Sequence, residues 1–184
     1  EWGEPIGIGG GYRRSQCHRF GIFAKDKDDL PDGFNRFIRT YFLAMAAWFE
    51  TIGIGVSGGE MYDAVLDVLG SYEEFGVSLN PGHQIHLDEW NNTIFYEGSK
   101  SVVTSGMAIQ ADMIALPSKH EYGAHLEDGI IVADEAMREQ IRNHAPSSWE
   151  RIVRRRAFMK DVLGINLKDE ILPVSDMTGV YFPY

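Results

Sequence analysis

Residues 79–90 read LNPGHQIHLDEW, placing His83, His86, Asp88 and Glu89 just after a Pro-Gly turn. Imidazole nitrogens and carboxylate oxygens are the donors that bind borderline and hard divalent cations, and they also move protons near neutral pH. Further along, Asp112 interrupts the apolar run GMAIQADMIA, and Glu127 with Asp128 interrupts HLEDGIIVA. A carboxylate in a buried strand is costly unless a counter-charge, an amide or a cation meets it. Two readings follow from the residues alone. His83, Asp112 and Glu127 converge from adjacent strands on a divalent metal ion, or Asp112 and Glu127 each pair with an Arg, a Lys or a backbone amide.

These residues need elements to carry them. Phe34, Phe37, Ile38, Tyr41, Met45, Trp48 and Phe49 recur at helical spacing, which predicts a core-facing helix over 34–49. A second helix is expected from the capping box at Ser57 and Glu60 to about Gly70. Residues 77–132, including TIFYEG, read as strands separated by Gly, Ser, Pro and Asn turns. Two more helices are expected, over about 134–144 and from a box at Ser147 and Glu150 to near Gly164, followed by a final strand or ordered coil. At the start, IGIGGGY (6–12) reads as a glycine-rich bend before a return strand in RRSQCHRFGIFA (13–24), and KDKDDLPDG (25–33) as a polar loop. GIGGGY lacks the last glycine of a GxGxxG fingerprint, so no nucleotide site is read there. The resulting order is a strand hairpin, two helices, an antiparallel sheet and two helices. That is an α+β class, with helices on one face of a curved sheet and a single domain over 1–184.

Composition narrows the function. Hydrophobic residues make up 44% and charged residues 24%, which is globular. A net charge of −10 argues against nucleic acid and anionic membranes as partners. The single basic run, Arg154 to Arg156, reads as a solvated helix face. One cysteine excludes an internal disulfide, and Cys17 reads as a packed thiol. No apolar run reaches the length of a membrane span, and the expectation is a cytoplasmic protein. The chain begins at Glu1 without Met, as a fragment or processed chain would.

Taken in order, NPGH…HLDEW, SGMAIQADMIA and HLEDGIIVADE resemble the creatinase/aminopeptidase, or pita-bread, superfamily, nearest its Xaa-Pro peptidase and prolidase branch. The resemblance spans roughly residues 5–135. It implies a pita-bread fold lacking its N-terminal part. It places His83 on the metal-binding histidine, Asp112 on the first glutamate ligand (one methylene short) and Glu127 on the second, bridging one. It also implies a homodimer. The sequence departs from that pattern in three places. Gln16 stands where the return strand should carry a ligand aspartate. Pro5, beside Glu4, stands where the other aspartate belongs. Trp90 replaces a second active-site histidine. The expected site is therefore incomplete as a two-metal centre. It would hold one divalent ion (manganese, zinc or cobalt) on His83, Asp112 and Glu127, with His18 as a fourth donor because it lies two positions beyond Gln16 on the same strand face. His83 and Glu127 are assigned to catalysis, and His86, Trp90 and Gln16 to the substrate cleft. His86 is read as facing away from His83, and His120 and His125 as surface or rim residues. The function read is an Xaa-Pro aminopeptidase- or dipeptidase-like metallohydrolase acting on a small peptide. The alternatives are a non-peptidase on the same fold, binding or transforming a small molecule without that metal centre, and a purely structural or interaction domain.

Overall fold

A computed structural model describes residues 1–11, 16–116 and 122–175. Within these, six antiparallel strands form one sheet in the order β1-β2-β5-β4-β3, with β6 also pairing β5. The strands are β1 (Glu4–Gly11), β2 (Gln16–Phe23), β3 (His83–Gln84), β4 (Ala108–Ala115), β5 (Ala124–Val132) and β6 (Ile171–Pro173). The helices are α1 (Phe34–Thr51), α2 (Gly58–Leu69), the single turn α3 (Tyr72–Phe75), α4 (Glu135–His144) and α5 (Pro146–Asp161). This is the expected α+β arrangement of an antiparallel sheet covered by helices.

Side chains alternate across the strands, so each strand divides its residues between two faces. One face carries Ile109, Ala111, Met113 and Ala115 of β4 with Ala124, Leu126, Ile130 and Val132 of β5, all buried against Phe37, Tyr41, Met45, Trp48 and Phe49 of α1 and Met61 and Val65 of α2. The apolar stripe of α1 thus packs on the sheet, with Ile38 only partly buried. The opposite face carries Gln110, Asp112, His125 and Glu127. A second, smaller cluster joins Ile131 and Leu172 to Met137, Ile141, Trp149 and Ile152 of α4 and α5.

Four expectations need correction. The glycine-rich segment is not a bend but the strand β1 itself, paired with β2 from Glu4↔Phe23 to Gly11↔Gln16. Glycine is needed in it for a packing reason: a Cβ on Gly9 would sit 2.8 Å from the His18 ring on the facing strand. Second, TIFYEG is not a strand. Ile94 and Phe95 are buried in coil that packs on α2, where a Cβ on Gly58 would lie only 1.7 Å from the Ile94 carbonyl oxygen. Burial there gives an apolar run without a ladder partner. Third, α5 is not capped by Ser147 and Glu150. It starts at Pro146, with Ala145 closing α4 and opening α5 in one residue, and proline at the first helical position suits its fixed φ. Fourth, the 25–33 segment contains a short 3₁₀ turn over Lys27–Asp29, capped by Asp26. The Ser57–Glu60 capping box at α2 is present as expected, in both directions. Residues 176–184, and with them most of the tail, lie outside the described residues, as do Tyr12 to Ser15.

Candidate metal centre

The backbone sets the site before any side chain enters it. Gly82 takes φ +121, and a Cβ there would lie 2.6 Å from the Gln110 carbonyl oxygen, so only glycine lets the chain approach β4 this closely. The turn is clamped from both sides. Trp48 Nε1 donates to the Pro81 carbonyl at 2.6 Å, and Thr93 Oγ1 donates to the Gly82 carbonyl at 2.8 Å. His83 enters β3 opposite Gln110, which lies two residues before Asp112 on the same face of β4. Asp112 pairs directly with Glu127, and Glu127 directly with His18, so β4, β5 and β2 place those three in one row. The register is pinned from the other face. The buried Tyr41 hydroxyl donates to the Met113 carbonyl at 2.5 Å and accepts from the Leu126 amide at 2.7 Å.

Among the described residues, His83, Asp112 and Glu127 bring one ligand atom each within 4.8 Å of one another. His83 is 1% exposed, and its Nε2 lies 3.5 Å from Asp112 Oδ2, 3.7 Å from Glu127 Oε1 and 3.3 Å from Glu89 Oε1. Neither His83 Nε2 nor Glu89 Oε1 has a hydrogen-bond partner, although both atoms are buried. Burial draws the His83 pKa down, but Asp112, Glu127 and then Glu89 outweigh it and lift it to about 9. Burial, with a hydrogen bond to the neighbouring Glu127 carboxyl, pushes Glu89 up to about 7. Burial also raises Asp112, yet its hydrogen bond to His125 and the nearby His83 imidazole hold it below its ordinary value.

Two residues join the site that the sequence reading placed elsewhere. His125, expected at the surface or rim, is in β5 with its Nε2 2.7 Å from Asp112 Oδ1, and its ring stacks on His18 at 4.1 Å. It lies two positions before Glu127 and therefore on the same strand face, a parity that was there to be read. Glu89 could not be found from strand parity. β3 ends at Gln84, and the chain folds back, with Gln84 donating to the Asn92 carbonyl at 2.7 Å and Asn91 to the Gln84 carbonyl at 3.1 Å. The loop between them carries Glu89 over His83. The same reversal corrects the reading of His86. It is not on a regular strand facing away from His83 but exposed on this loop.

The other expected residues fall as follows. Trp90 is 57% exposed, with its ring 5.9 Å from the His83 ring. The Gln16 carbonyl accepts from Gln110 Nε2 at 2.6 Å, and Gln110 Nε2 also lies 3.4 Å from Glu127 Oε1. His18 stands beside Glu127 with its ring stacked on His125 and its buried Nδ1 without a hydrogen-bond partner among the described residues, and its pKa is lowered first by burial and then by His125. Glu4 pairs with Phe23, well along the hairpin from the Gly9↔His18 pair, and is not part of the group of His83, Asp112 and Glu127. Asp128 takes the bland alternative offered for its neighbours. It faces the helices, where Arg19 binds both its oxygens at 2.7 and 2.9 Å and Ser175 Oγ donates at 2.7 Å. Cys17 lies on that side, away from His18, with its thiol 3.9 Å from Asp128. His120 lies outside the described residues.

The donor set fits one divalent cation. An imidazole nitrogen without a hydrogen bond faces carboxylate oxygens that no arginine or lysine among the described residues neutralises at hydrogen-bond distance, and a cation would satisfy both. The early hairpin adds no carboxylate to this group among the described residues.

No protein-family model and no curated protein sequence matches the chain. Solved structures do. A dipeptidase from Mycobacterium ulcerans superposes with TM-score 0.60 at 21% identity, over 72% of this chain and 36% of that one. A prolidase from Pyrococcus furiosus gives 0.59 at 16%, over 71% and 38%. An X-Pro aminopeptidase from Thermotoga maritima gives 0.57 at 15%, over 71% and 37%. The fold is therefore the pita-bread fold, and this chain spans little more than a third of the length of these structures.

Proposed function

We propose that the chain is a hydrolase domain of the Xaa-Pro peptidase type whose centre holds one divalent cation, on His83, Asp112 and Glu127, rather than two. The observation that carries this reading is the buried, unpartnered Nε2 of His83 facing Asp112 and Glu127. When bound, a cation of this kind polarises a carbonyl oxygen and lowers the pKa of an adjacent water. The protein's own groups do the rest. His125 holds Oδ1 of Asp112 and leaves Oδ2 toward His83, which fixes the carboxylate's orientation. Glu127 accepts the proton of the attacking water and returns it to the leaving amine. The exposed Trp90 ring offers an apolar wall beside His83 for a substrate side chain, with His86 on the same loop and Gln16 across the sheet. The substrate class supported by the structural neighbours is a small peptide, and the resemblance adds a homodimer.

Two measurements test the reading. Divalent manganese, zinc or cobalt should raise the melting temperature of the wild-type chain, and His83→Ala should abolish that rise. Release of the amino acid from an Xaa-Pro dipeptide should require the same ion. A melting shift that survives His83→Ala would place the ion elsewhere, whereas a lost shift with no cleavage of any Xaa-Pro peptide would favour a small-molecule enzyme on the same fold. No helix among the described residues is long and apolar enough to cross a membrane.

A further inference from the structure

We propose that Glu89 is a direct ligand of that cation, supplied by the loop over 85–91 in place of the carboxylates missing from the β1–β2 hairpin; the proposal rests on the one-cation reading. Glu89 Oε1 lies 3.3 Å from His83 Nε2, nearer than either strand carboxylate. Both atoms are buried and neither makes a hydrogen bond. An imidazole nitrogen and a carboxylate oxygen at this distance pair through a proton on His83 or share a cation that takes that proton's place.

Charge points the same way. Glu89, Asp112 and Glu127 gather around one imidazole, and their mutual repulsion is relieved by a dication. The loop is built to hold Glu89 there. Its ends are tied by the paired bonds between Gln84 and residues 91 and 92, and Trp90 lies next to His83. Among the described residues the hairpin offers no substitute: Gly9 faces His18, Gly11 faces Gln16, and Glu4 lies at the far end of the hairpin opposite Phe23. Asp88, the acid immediately before Glu89, is exposed and serves as an internal control.

The test is calorimetric titration of Mn²⁺ into chelator-treated protein, with elemental analysis of the loaded chain. Wild type should bind one ion, and His83→Ala none. Glu89→Gln, which keeps shape and removes charge, should bind about tenfold or more weakly, and Asp88→Asn should match wild type. Should Glu89→Gln fold poorly, Glu89→Asp, which keeps the charge but withdraws the oxygen, should also bind more weakly. Wild-type affinity in the folded Glu89 variant, with binding lost in His83→Ala, would overturn the ligand role and leave the one-cation reading standing. If Glu89→Gln lowered only the stability of the metal-free chain, Glu89 would be an ion-pair partner of His83 and the proposal would be wrong. No binding by wild type would overturn both.

Discussion

His83 and Asp128 show two solutions to the same cost, a charged or polar group inside a sheet. Asp128 is paired: Arg19 forks onto both its oxygens across the helix-covered face. Removing one partner of a buried pair strands the other, so Arg19→Ala should cost about 3 kcal/mol, read as a lowered midpoint in urea unfolding. His83 Nε2 instead faces three carboxylate oxygens at 3.3 to 3.7 Å without a hydrogen bond to any of them, and in the one-cation reading proposed above a cation completes this environment. His125 acts on that environment through Asp112, so His125→Ala should weaken divalent-ion affinity by about tenfold to a hundredfold while the metal-free melting temperature stays close to wild type. A retained affinity would make the Asp112–His125 bond a packing contact only. Asp112 and Glu127 could be read from sequence because each is a polar interruption of an apolar strand, and His83 because it follows a Pro-Gly turn in a stretch dense in donors. His125 was readable by parity with Glu127 yet was assigned to the rim, since a histidine next to a turn is so often solvated. Glu89 was not readable, because its position depends on where β3 stops.

At the scale of elements, the site depends on caps and close approaches that lie outside it. Gly58 opens α2 against the Ile94 carbonyl, and a methyl there would lie 1.7 Å from its oxygen and 2.6 Å from its carbon, backbone atoms that cannot swing aside, with the Ser99 hydroxyl at 3.0 Å. Gly58→Ala should therefore cost about 3 kcal/mol, visible in thermal unfolding followed by circular dichroism. The N-cap of α4 gives a pH signature. The Met137 amide, then the Ser105 hydroxyl, holds the Asp134 carboxyl below its ordinary value of 3.8. A depressed folded-state pKa means that this stabilisation is present above 3.8 and is lost as pH falls through the folded value. Asp134→Asn keeps an acceptor at the cap and removes the titration, so its melting temperature should fall less steeply in acid than wild type. Equal acid slopes would mean that the cap charge contributes nothing. Caps and helical stripes were legible because they are local: α1, α2 and α4 follow from periodicity and end residues. The 85–107 coil was not, because Ile94 and Phe95 are apolar for the sake of α1 and α2 and not for a strand partner.

At the scale of the molecule, the alternation of hairpin, helices, sheet and helices in the sequence corresponds to the fold. The strand order does not follow from it. Arg19 and Asp128 meet from 109 residues apart because β2 inserts beside β5, and that insertion also brings His18 and Gln16 to the row of Asp112 and Glu127. Convergence across such distances is a property of topology, which the spacing of residues along one strand does not encode. Among the described residues, the hairpin sets Gly9 opposite His18 and Gly11 opposite Gln16 and adds no carboxylate to the group of His83, Asp112 and Glu127. The measurement that tests this most directly is the metal content per chain, by elemental analysis, after purification with manganese, zinc and cobalt each supplied in turn. One ion per chain, lost in His83→Ala, is the predicted result. Two ions per chain would contradict the account by requiring ligands the described site does not hold, and a folded chain with none would contradict it by leaving the orphaned His83 without a purpose in metal binding.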